Sequence, residues 1–112
     1  METSEITKAK EFIIVEIIEY IPNSVVSKTI LRKSTGNVTL MSFDSGEGLA
    51  EKISPFDTFI QVIEGRAEVI IEGISKELVP GQGMVIPAHK WNLINANERF
   101  KMISTIIKSG YE

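Results

Sequence analysis

At 112 residues the chain has room for one domain, because a second hydrophobic core would have too little apolar surface to fold alone. Its net charge of -3, with basic residues scattered among acidic ones, argues against nucleic acid and anionic membranes as partners. It contains no cysteine, which excludes disulfides and thiolate sites. The polar start METSEITKAKE is unlike a signal peptide, and the apolar stretches are too short to span a bilayer. We therefore expect a cytoplasmic protein.

Residues 1–24 are predicted to form an N-terminal arm or short helix ahead of a domain at residues 25–112. Within this segment, residues 12–21 carry apolar side chains at a helical spacing, but their β-branched content favours a strand. We expect a short helical turn or an arm that packs over a sheet.

The rest of the chain is predicted to be all β. Residues 38–43, 58–63, 67–71 and 102–107 are rich in β-branched and aromatic side chains. Turn sequences with Gly or Pro separate them about every eight to twelve residues, which favours an antiparallel sandwich or barrel. Gly65 and Gly73 are expected in hairpin turns around the strand at 67–71.

The apolar pattern of one predicted strand indicates that the chain pairs with a second copy of itself. In residues 58–63, Ile60 and Val62 fall on one face and Phe59 and Ile63 on the other, so both faces of this strand call for burial. A small barrel cannot bury the outer face by itself. We expect a homodimer formed through this face, with the N-terminal arm as the rival cover.

The segment PGQGMVIPAHKWN is similar to the second conserved motif of the cupin superfamily, Gly-x5-Pro-x-Gly-x2-His-x3-Asn. Gly81 and Pro87 occupy framework positions of that motif. Three other positions differ, because His89 replaces its second Gly, Asn92 its His and Ala96 its Asn.

The first cupin motif, Gly-x5-His-x-His-x3,4-Glu-x6-Gly, is matched from Gly46 to Gly65. Lys52 and Ser54 stand at its two His positions and Thr58 at its Glu position. The resemblance implies an all-β double-stranded β-helix (jelly-roll) cupin barrel with a short N-terminal arm.

The same resemblance places Lys52, Ser54, Thr58 and Asn92 where metal-binding cupins hold iron, manganese, nickel or zinc with three His and one Glu. A lysine ammonium repels a cation and has no lone pair to donate, and hydroxyl and amide oxygens are weak ligands. We expect no metal and no cofactor. These four residues are instead the candidate ligand-binding residues, projecting into one shared pocket.

Three functions remain open. The preferred one is a metal-free binding or regulatory domain with a small molecule in the barrel pocket. The second is a metal-independent enzyme of epimerase or lyase type that uses Lys52 or His89. The third is a structural or interaction module whose barrel is plugged by side chains. Enzymatic activity is thus uncertain, and the sequence leans against it. Trp91, Met41, Phe43 and Met102 are expected in the core.

Overall fold

The computed structural model describes residues 5–111, and this part of the chain contains nine β-strands and no helix. The strands are β1 (Val25–Lys33), β2 (Gly36–Phe43), β3 (Gly48–Lys52), β4 (Thr58–Gly65), β5 (Ala67–Ile71), β6 (Ile74–Leu78), β7 (Gly83–Ile86), β8 (Asn92–Asn95) and β9 (Phe100–Ile107). The four stretches predicted from composition lie within β2, β4, β5 and β9. The all-β prediction is confirmed.

The strands form two antiparallel sheets. The five-stranded sheet has the order β1-β2-β9-β4-β7, and the four-stranded sheet has the order β3-β8-β5-β6. Strands that are neighbours in a sheet are often distant in sequence, as in the pairing of β2 with β9. The inner faces of the two sheets enclose the core.

The predicted hairpin at Gly73 is present, and the one at Gly65 is wrong. β5 pairs with β6 across Glu72 and Gly73, which both have positive φ, as a tight two-residue hairpin requires. Gly65 instead ends β4 in the five-stranded sheet, and β5 begins in the other sheet after Arg66 alone. A Cβ on Gly65 would overlap the carbonyl oxygen of Arg99. Because glycine has no Cβ, the chain can pass from one sheet to the other in close contact with the Arg99 backbone.

One end of the barrel is filled by its core. The Phe43 and Phe100 rings stack with centroids 4.3 Å apart, and neither side chain is exposed. Ile60 and Val62 point inward as the alternation predicted, and both are buried. Both sheets contribute to this filled end, because Val69 and Ala67 of the four-stranded sheet belong to the same buried cluster as the two phenylalanines.

The N-terminal arm lies across the outer face of the five-stranded sheet. Its hydrogen-bonded turns include those from Glu16 N to Ile13 O, at 2.9 Å, and from Ser24 N to Ile21 O, at 3.1 Å. The buried Lys101 ammonium donates to the Val15 carbonyl at 2.5 Å, and Ser42 Oγ donates to the Glu19 carbonyl at 2.9 Å. The arm thereby covers β2 and β9.

The arm leaves another part of the outer face uncovered. Phe59 of β4 and Val85 of β7 are register partners, and they remain 42% and 56% exposed. Ile107 of β9 is also exposed on this face. Among residues 5–111 no helix is long and apolar enough to cross a membrane.

Candidate functional site

The end of the barrel opposite the stacked phenylalanines contains a cavity of about 360 Å³. Strand register shows how deep each lining residue lies in the cavity, because every second residue of a strand faces inward. Met41 and Met102 are register partners, and each is the next inward-facing residue of its strand after Phe43 or Phe100. Both line the bottom of the cavity. We call this space the barrel cavity.

All four residues predicted to share a pocket line the barrel cavity. Lys52 ends β3 and Asn92 begins β8, and the two are register partners. Ser54 follows in the β3–β4 loop, and Thr58 begins β4 on the opposite sheet. The motif alignment therefore placed these side chains correctly at one site. That they bind a ligand stays a prediction.

Asn92 is the most constrained of the four. It is only 2% exposed, and its side-chain amide nitrogen donates to the carbonyl oxygens of Lys90, at 3.1 Å, and Lys52, at 3.4 Å. These two acceptors orient the amide. Its Oδ1 is buried and has no hydrogen-bond partner among the described residues. A buried acceptor without a partner destabilises a protein by about 1–3 kcal/mol, so such atoms call for an explanation.

The cavity is also lined by a second set of polar residues, which the motifs did not predict. Thr39 of β2 and Ser104 of β9 are register partners, and Ser27 of β1 and Asn37 of β2 also line the cavity. The signal was present in the sequence, because Thr39 shares the alternation of Met41 and Phe43 and must face the same interior. Polar residues on a core-facing row indicate a space that polar groups enter.

Lys52 supplies the positive charge of this site. Lys52 is exposed although it lines the cavity, so this residue lies at the mouth rather than at the bottom. Within residues 5–111 no carboxylate lies within 4.0 Å of this ammonium, and none lines the cavity. The cavity can therefore offer a cation, hydroxyl groups and amides to a ligand.

His89 lies outside the barrel cavity. It lines a neighbouring outer cleft with Phe56, Lys108 and Tyr111, and Phe56 is shared by both spaces. Its φ of 66° is in the left-handed region, and its backbone nitrogen donates to the Ser54 carbonyl at 2.7 Å. This conformation explains why the aligned motif has glycine here. An imidazole in this place is not positioned to act as a base within the cavity.

The prediction that Trp91 lies in the core is wrong, whereas Phe43 and Met102 are buried as expected. Trp91 is 50% exposed beside Glu72, with which it exchanges two hydrogen bonds. Met41 is partly buried and lines the cavity. Trp91 directly precedes β8, and its backbone is hydrogen-bonded to Glu72 in the turn of the β5–β6 hairpin. The hydrophobicity of the side chain gives no information about this contact.

The donor set of the cavity does not fit a transition metal. Such sites use several imidazole, thiolate or carboxylate ligands, whereas the cavity offers an ammonium, hydroxyl groups and amides. Within residues 5–111 there is no cluster of three or more His, Cys, Asp or Glu side chains that could hold a metal ion.

Structural comparison identifies the fold. A crystal structure of a conserved protein of unknown function from Streptococcus pyogenes has a TM-score of 0.89 and 24% identity, covering 98% of this chain and 97% of that one. A cupin superfamily protein from Desulfitobacterium hafniense has a TM-score of 0.87 and 25% identity, covering 97% and 100%. A cupin 2 conserved barrel domain protein from Leptotrichia buccalis has a TM-score of 0.80 and 29% identity, covering 84% of this chain and 46% of that one.

The described chain therefore has the jelly-roll barrel fold of a small cupin domain, as its motifs implied. No family model matches the sequence, and no curated protein matches it. The fold is shared by proteins of many activities, so function has to be argued from the cavity itself.

Proposed function

We propose that this protein binds a small organic molecule in its barrel cavity without a transition metal, as a binding or regulatory domain. The observation that carries the proposal is the cavity itself, at the four positions where the cupin motifs place ligands. Its volume of about 360 Å³ falls within the range typical of small-molecule pockets, roughly 300–1,000 Å³.

The composition of the cavity wall supports the same function. Apolar side chains such as Met41, Ile60 and Ile94 alternate with hydroxyl groups and amides, as in sites that bury a ligand and fix its orientation. The unpaired Oδ1 of Asn92 gives a further reason, because a donor on a ligand could pair with it after a small movement of the wall.

The two other functions have less support. A fully plugged barrel is hard to reconcile with a space of this size beyond the Phe43–Phe100 pair. A metal-independent enzyme would have to rely on Lys52, because His89 does not line the cavity. Such a mechanism needs an oriented base, and within residues 5–111 no carboxylate lies within 4.0 Å of the Lys52 ammonium.

A fragment titration followed by NMR tests the proposal. Fragments should shift backbone amides of β2, β8 and β9, whose side chains line the cavity. In a Thr39→Phe variant the ring should fill the cavity and abolish these shifts, while Thr39→Val, which keeps the side-chain size, should retain them. Thermal melting confirms that both variants are folded. Shifts that survive in Thr39→Phe, or a complete absence of shifts in the wild type, would refute the proposal.

A further inference from the structure

The barrel cavity has a net positive lining. Lys52 is the one charged side chain among the residues that line it, and the others are apolar, hydroxyl or amide side chains. An ammonium beside a partly apolar space attracts anions and repels cations. A ligand that carries a positive charge would gain no counterion there.

Polarity also changes along the depth of the cavity. The bottom is formed by Met41, Met102 and Ile94, of which Met102 and Ile94 are at most 2% exposed. Thr39 and Ser104 lie one inward step nearer the mouth. Lys52 lies at the mouth, where it is exposed. The bottom of the cavity is therefore apolar, the hydroxyl groups lie above it among the side chains of Ile60 and Ile106, and the cationic Lys52 lies at the mouth.

We propose that the ligand is a small amphipathic monocarboxylate, held with its apolar end among the methionines and its carboxylate at Lys52. This inference rests on the proposed function and specifies its ligand class. A single lysine balances one negative charge. Phosphate groups are recognised preferentially by arginine forks, several cations or converging backbone N–H groups, and no arginine lines this cavity.

Three probes of equal chain length test the charge requirement: hexanoate, hexanamide and hexylamine, each titrated by NMR at neutral pH. Hexanoate should bind most tightly, about fivefold better than hexanamide, as expected for a partly exposed ion pair. Hexylamine should bind most weakly. The terminal methyl group of hexanoate should show nuclear Overhauser contacts to the Met41 and Met102 methyl groups.

Substitution of the lysine separates its charge from its bulk. Lys52→Met should remove the preference for hexanoate over hexanamide, measured as the ratio of the two affinities in the same protein. Lys76→Met is the matched control, because it changes the net charge equally on β6, away from the cavity. It should preserve the preference.

The outcomes distinguish this inference from the proposed function. Equal binding of hexanoate and hexanamide by the wild type, or a preference that survives in Lys52→Met, would overturn the carboxylate assignment and leave small-molecule binding intact. Contacts from the hexanoate methyl group to the mouth rather than to the methionines would overturn the orientation. If none of the three probes shifts cavity amides, the carboxylate assignment fails, while the fragment titration decides the proposed function separately.

Discussion

Tyr20 of the arm and Lys101 of β9 meet on the outer face of the five-stranded sheet, with the Lys101 ammonium 4.9 Å from the centre of the tyrosine ring. Glu64 completes the contact. It accepts a hydrogen bond from the Tyr20 hydroxyl at 2.6 Å and lies 3.6 Å from the Lys101 ammonium. A cation, a carboxylate and a phenol thus fix the arm to two strands.

Tyr20→Phe should loosen the arm without unfolding the barrel. The variant keeps the ring beside Lys101 and loses the hydrogen bond to Glu64, so we expect a loss of about 1 kcal/mol in the free energy of unfolding. Urea denaturation measures this loss. Tyr111→Phe, at the other end of the chain, provides a comparison, because hydrogen exchange in residues 12–20 should increase only for Tyr20→Phe. Unchanged exchange there would show that the hydroxyl does not hold the arm.

The same contact predicts how stability depends on pH. Burial has the largest effect on Tyr20 and raises its pKa above the ordinary value of 10.0, and the hydrogen bond to Glu64 raises this pKa further. A raised pKa in the folded state means that the unfolded chain releases this proton first. The stabilisation is therefore complete below about pH 10 and declines above it.

The free energy of unfolding should accordingly fall above pH 10, and it should fall less steeply in Tyr20→Phe. The two proteins differ only in the Tyr20 hydroxyl, so the difference between the two curves isolates the tyrosine. Parallel curves would contradict the assigned pKa shift.

Gly65→Ala should be far more harmful than Gly46→Ala. Both glycines have positive φ, at 76° and 89°, so alanine is strained at either position. Nothing lies within 4 Å of a Cβ on Gly46, whereas at Gly65 the Arg99 backbone stands in the way. We expect about 1 kcal/mol of destabilisation at Gly46 and at least about 2 kcal/mol more at Gly65. Equal losses in thermal denaturation would mean that the crossing between sheets tolerates a side chain.

His89→Gly should stabilise the protein. The left-handed backbone strains a histidine by about 1–3 kcal/mol, and the extra freedom of an unfolded glycine offsets about 0.5–1 kcal/mol of the relief. The net gain should be about 1 kcal/mol, near the middle of the range that these two terms leave, and His89→Ala, which keeps a Cβ, should show none of it. If His89→Ala gains as much as glycine does, the imidazole rather than the backbone is the source of strain.

Phe59→Lys should convert a dimer into a monomer. Phe59 and Val85 expose apolar surface on the part of the outer face that the arm leaves open. Burial of such a patch against a second copy of the chain would stabilise a two-fold dimer. Light scattering at micromolar concentration should give the mass of two chains for the wild type and of one chain for the variant. Ile74→Lys, on the four-stranded sheet, should leave the dimer intact; a monomeric wild type would refute the interface.

Composition located β2, β4, β5 and β9, because these strands are rich in β-branched and aromatic residues and supply much of the buried core. β3 and β6 are edge strands with mostly exposed residues, and their sequences GLAEK and ISKEL carry no such enrichment. Neither strand was predicted from its own residues, although the hairpin expected at Gly73 implies a strand after it, where β6 lies.

The candidate site was predictable where the motif fixes the spacing. The convergence of Lys52 and Asn92 follows from the matched framework, although they lie 40 residues apart. The exposed position of Trp91 and the contact of Gly65 with Arg99 depend on how loops meet in three dimensions. No local pattern encodes such meetings.

The anchoring of the arm has a consequence for biosynthesis. Tyr20 contacts a residue 44 positions later in the chain, and Val15 is bound by Lys101, 86 positions later. On the ribosome, residues 15–20 are made well before β9, and during that interval they lack Lys101, which contacts both Val15 and Tyr20. Such long-range contacts form slowly, because the intervening chain has to be ordered first. The arm therefore reaches its final place only after β9 has been made.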